Sequence, residues 1–132
     1  MALTILDAGV IIGVLDGRDV HHEAAKGAVA AAIERGDALT IPASAYAECL
    51  VGPARHGSTQ IVDDFLADLP AGVEPITRQV AMRAAQLRAQ YGRRVRLPDA
   101  FVLATALHLH ADRVVTTHAG WPRAGVPVDV LR

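Results

Sequence analysis

Apolar positions along the chain follow two alternating patterns. Short continuous blocks predict strands: "LTIL" (3–6), "ALTI" (38–41), "VEPI" (73–76), "RVVTT" (113–117) and "PVDVL" (127–131). Between them, apolar residues recur at helical spacing. "AGVIIGVL" predicts a short helix leaving the first strand, and "VHHEAAKGAVAAAIER" (20–35) a second one that stops at Gly36. "ASAYAECLVG" follows Pro42, and "TQIVDDFLADL" predicts a helix ahead of a turn at 70–72. "TRQVAMRAAQLRAQYG" has Thr77 at its N-cap and Gly92 just past its end; "LPDAFVLATALHLHA" opens with Pro98 in its first turn.

Strands that alternate with helices imply βαβ units and a parallel sheet covered on both faces. The expected class is α/β, with about five short parallel strands in the middle layer of a three-layer sandwich. A length of 132 residues fits one domain spanning 1–132. The expected core includes Leu3, Ile5, Val10, Ile11, Ile41, Leu103, Val114 and Val115. In open parallel sheets, chemistry collects where strand C-termini meet at a topological switch point. Asp7 sits at such an end, interrupting the most apolar stretch of the chain.

Composition narrows the partners. Aromatics are only 4% of residues, so the core must be built from Ala, Val, Leu and Ile. The net charge of −1 gives no chain-wide basic field, and any nucleic-acid contact must come from a local patch. Cys49 is the only cysteine, which rules out an intrachain disulfide and points to a reducing cytoplasm. The apolar runs fall far short of the ~20 residues that span a bilayer, so no membrane partner is expected. All basic residues but Lys26 are arginine, which with abundant Ala and Gly matches the codon bias of a GC-rich bacterial genome.

Three carboxylates stand in apolar company: Asp7 in "ILDAG", Glu48 in "AYAECL" and Asp99 in "RLPDAF". Asp7 fits a helix N-cap, and Asp99 fits a first turn, where the helix dipole favours acids. Glu48 lies one residue too far along for a capping box with Ser44, and for a lone Glu the ordinary place is solvent. Brought together, three carboxylates would repel one another unless a cation neutralised them. Hard oxygen ligands select Mg²⁺ or Mn²⁺, and such a centre can align phosphate and activate water.

Here the chain resembles the PIN-domain family, and within it the VapC-type toxins of bacterial toxin–antitoxin pairs. "TILDAGVIIGVLD" is similar to the family's opening, "SAYAECL" to its Glu-bearing helix, and "RLPDAFVLATALHLHADRVVTTH" to its C-terminal signature. The resemblance implies an Mg²⁺-dependent endoribonuclease that inhibits growth, is neutralised by a cognate VapB-type antitoxin and forms a homodimer. By position it implies Asp7, Glu48 and Asp99 as catalytic and metal-binding acids. The family's fourth acid falls at His118 in "TTHAG", and its frequent Ser, Thr or Asn two residues past the first Asp is replaced by Gly9. His118 therefore reads either as an imidazole ligand or as a solvent-facing loop residue. Arg93, Arg94 and Arg96 read as a phosphate clamp beside the site, or as cations decorating a helix C-terminus. Thr116 offers a hydroxyl to a carboxylate or to an RNA phosphate.

Two phosphate-handling α/β classes fail on chemistry. A haloacid dehalogenase-type enzyme needs a second Asp at Gly9, and a phospho-receiver needs a Lys at a late strand end, whereas Lys26 lies in an early helix. The remaining rival is a catalytically degenerate PIN scaffold that binds RNA or a protein without cutting. Gly9 and His118 favour it; three retained, mutually repelling acids oppose it.

Overall fold

The computed structural model describes residues 1–132. Its centre is a five-stranded, wholly parallel sheet of order β3-β2-β1-β4-β5. The strands are β1 (Leu3–Leu6), β2 (Ala38–Pro42), β3 (Ala71–Glu74), β4 (Arg113–Thr116) and β5 (Val128–Val130). Six helices flank them: α1 (Ala8–Leu15), α2 (His22–Arg35), α3 (Ala43–Ala54), α4 (Gln60–Asp68), α5 (Arg78–Tyr91) and α6 (Leu97–His108). The α/β sandwich expected from the alternation is the observed architecture.

The chain builds outward from β1 through β2 to β3, then returns through α5 and α6 to lay β4 on the other side of β1. The order thus reverses between β1 and β4, and the crevice at their C-terminal ends is the switch point. Register places Leu6 beside Val115, and the Asp7 N–H continues the ladder by donating to the Val115 carbonyl at 3.0 Å. Asp7 and the residues after Thr116 therefore leave the sheet side by side.

Of the expected core, Ile5, Val10, Ile11, Ile41, Leu103, Val114 and Val115 are buried. Leu3 is only half-buried, because it opens β1 at the rim opposite the crevice, where its N–H donates to Asp112 at 2.7 Å. β3 begins two residues before "VEPI" and ends at Glu74, opposite Pro42. Pro75 has no N–H for the ladder, so the strand takes in the expected turn residues Ala71 and Gly72 instead. The last helix also stops early, at His108, since His110 turns into the left-handed region with φ 53°. Thr77 caps α5 as expected, accepting from Val80 N–H at 3.2 Å.

Away from the crevice, the Asp37 side chain is 3% exposed and accepts from Arg35 at 2.8 Å and Thr4 Oγ1 at 2.9 Å. The Arg35 bond holds the Asp37 carboxyl below the usual carboxylate range, against an opposing desolvation penalty. A depressed folded pKa stabilises above the unfolded value of about 3.9, and that contribution disappears as pH falls through the folded value. Asp37→Asn is accordingly expected to lower the thermal midpoint at pH 7 and to flatten the acid limb between about pH 5 and pH 2. Melting curves across that range check it; an acid limb like that of the parent protein would assign the pair no role in stability.

Candidate active site

Asp7 is 5% exposed and has extended backbone (φ −79°, ψ 160°), the conformation of an N-cap. Its Oδ1 accepts from the Ala8 N–H at 2.8 Å and its Oδ2 from the Thr116 hydroxyl at 2.6 Å. A carboxylate has about four lone-pair positions, so these two bonds leave others free. Capping and cation binding are therefore compatible at Asp7.

Thr116 is fully buried, and its oxygen also accepts the His118 N–H at 3.1 Å. Its hydroxyl is committed to a carboxylate inside the core. The expectation of an RNA-phosphate contact at Thr116 is corrected: a phosphate on the surface cannot reach it.

Asp99 lies half-buried in the first turn of α6, two residues past Leu97. His118 lies exposed just beyond β4. One ligand atom each from Asp7, Asp99 and His118 all fall within 4.8 Å of one another. Two hard carboxylates and one imidazole at that spacing suit a divalent cation, with the nitrogen shifting preference from Mg²⁺ toward Mn²⁺.

Glu48 is not part of that tight group. It is exposed on α3, although its carboxyl is partly desolvated and feels the charges of Asp7 and Asp99, all of which raise its pKa. The Asp99 pKa is raised too, by burial first and then by Asp7; His118, the Trp121 indole and Arg96 pull it the other way. The carboxylates thus form one repelling field, with Glu48 outside the tight group. Arg96, at the N-cap of α6, is near enough to act on both Glu48 and Asp99. Arg93 and Arg94 are exposed in the short 3-10 turn at Gly92–Arg94. Cys49, on the buried side of α3, is pushed up to about 12 by burial and by Glu48 and Asp7, so it supplies no thiolate near neutral pH.

The fold also accounts for Gly9. A Cβ there would collide with the Thr117 hydroxyl and meet the Thr117 Cβ and methyl at 3.3 Å. Thr117 fills, from β4's side, the space a side chain at position 9 would occupy. Trp121 is the residue that spacing did not single out. Its ring stacks on His118 at a centroid distance of 6.3 Å and an interplanar angle of 10°. Its indole Nε1 is buried and meets no acceptor at full hydrogen-bond geometry, yet it lies near enough to Asp99 to pull that carboxyl's pKa down. The available signal was the only tryptophan of an aromatic-poor chain, three residues after His118.

The family model described as PIN domain matches residues 4–126. Among curated proteins none matches. Among solved structures, a toxin–antitoxin complex from Klebsiella pneumoniae is 27% identical, covering 97% of this chain and 95% of that chain with a TM-score of 0.70. VapBC2 from Rickettsia felis, bound to a promoter DNA fragment, has a TM-score of 0.76 at 13% identity and covers 98% of this chain and 99% of that one. Mycobacterium tuberculosis VapC20, a sarcin–ricin loop cleaving toxin, has a TM-score of 0.64 at 13% identity, with 84% and 86% coverage. At 13% identity the last two establish a shared fold only.

Proposed function

The chain belongs to the PIN-domain family, and on that premise we propose that it is the toxin of a type II toxin–antitoxin pair, a metal-dependent endoribonuclease. The observation that carries the reading is the meeting of Asp7, Asp99 and His118 within 4.8 Å at the β1/β4 switch point. The Klebsiella complex supports an antitoxin as partner, and VapC20 supports RNA as the substrate class. A homodimer remains part of the proposal on family grounds.

Asp7, Asp99 and His118 would hold the cation, Mg²⁺ or Mn²⁺. When bound, it supplies positive charge to a phosphodiester oxygen and to the attacking water. Asp7 stays fixed because the Ala8 N–H and the Thr116 hydroxyl hold its two oxygens. Glu48, standing back from the tight group with a raised pKa, is the carboxylate suited to take the proton of the water that attacks phosphorus. Arg96 is the best placed of the three arginines to meet phosphate; Arg93 and Arg94 would act from farther along the rim.

Induced alone in a bacterial host, the protein is expected to stop growth, and co-expression of its antitoxin to restore it. Unimpeded growth with soluble, folded protein present would favour the non-cleaving scaffold. The imidazole makes a second expectation. His118→Asp should improve Mg²⁺-supported cleavage severalfold, and His118→Ala should shrink an Mn²⁺ advantage present in the parent. Rates on one RNA substrate with each metal check this; identical metal preference in all three proteins would place His118 outside the centre.

A further inference from the structure

Trp121 packs, partly buried, at the edge of the hydrophobic core, and its polar atom faces inward. Its ring lies on His118, its Nε1 is buried yet unpaired, and the indole is close enough to Asp99 to act on that carboxyl. The neighbouring chain is held: Pro122 is buried, and the Tyr91 hydroxyl at the end of α5 donates to the Arg123 carbonyl at 3.3 Å. An indole anchored in this way presents one donor, at one place, to the half-buried member of the acidic group.

We infer that Trp121 is a positioning residue of the centre. Its ring backs the His118 imidazole, and its buried N–H is the hydrogen-bond partner that orients Asp99 when the Asp7–Asp99–His118 group closes on a divalent cation. This rests on the metal-centre reading above. A carboxylate ligand without an outer partner can turn about its last bond, and an outer hydrogen bond fixes it and typically contributes about 10–100-fold in metal affinity. A buried N–H without an acceptor favours the same closure from the other side. One residue therefore couples two ligands drawn from different elements, α6 and the segment after β4.

The chain has a single tryptophan, so the ¹⁵N-labelled protein gives one indole N–H resonance. Titrating it with Mg²⁺ should move that resonance downfield in step with binding measured by calorimetry. In Asp99→Asn the resonance should stay where it is. Trp121→Phe keeps a ring against His118 but removes the donor, and should weaken Mg²⁺ and Mn²⁺ binding by about tenfold. An indole resonance unmoved at saturating Mg²⁺ would overturn the inference while leaving the metal centre standing. Failure of the parent protein to bind either metal would overturn both. If Trp121→Phe does not fold, the titration of the parent protein still decides.

Discussion

Asp7→Asn is expected to lower RNA cleavage by on the order of 10³-fold, while the protein keeps its fold. The loss corresponds to several kcal/mol of charge stabilisation that the variant can no longer recruit. The fold should survive because an asparagine oxygen can still accept the Ala8 N–H, and the Thr116 oxygen can accept from the new amide. Asn is as good an N-cap as Asp, so the change in stability should stay within about 1 kcal/mol. Thermal melting and cleavage rates on the same preparation separate the two roles of Asp7. Full activity in a folded Asp7→Asn protein would mean that capping exhausts its function.

Asp99→Asn should change stability in opposite directions with and without metal. Burial and the Asp7 charge raise the Asp99 pKa, so the ionised carboxylate is a cost to the metal-free fold. Removing that charge should raise the metal-free melting temperature at neutral pH. The parent protein should in turn gain about 2.7 kcal/mol at a metal concentration one hundred times Kd. Asp99→Asn should gain almost nothing. Melting curves with excess Mn²⁺ and with EDTA check both signs. A variant stabilised by metal as strongly as the parent would remove Asp99 from the ligand set.

Much of this arrangement is legible in one dimension, and what escapes is specific. A strand ending in a charge is a local signal, so Asp7 and the layered fold follow from hydrophobic spacing. His118 was legible only through the family resemblance, and β4 ends one residue earlier than "RVVTT" suggests. Glu48 is different. Spacing puts it on α3, but its distance from the centre depends on how Ala45 and Cys49, both buried, seat that helix. No periodicity reports how a helix is seated across the sheet. β3 was displaced because apolar content marks residues 73–76, whereas ladder bonding needs N–H groups that Pro75 lacks. The Gly9–Thr117 and His118–Trp121 contacts join segments that only the closed sheet brings together, and Trp121 carries a donor whose importance depends entirely on what lies beside it.

This acidic centre is expected to cut RNA with a metal. Purified protein should be incubated with total bacterial RNA in Mg²⁺ or Mn²⁺, with EDTA, and beside Asp7→Asn, and the 5′ ends of the products sequenced. Cleavage is expected at a small set of positions with either metal, and intact RNA with EDTA or with the variant. Intact RNA in the presence of folded parent protein shown by calorimetry to hold the metal would contradict it, as would cleavage that EDTA and Asp7→Asn leave unchanged.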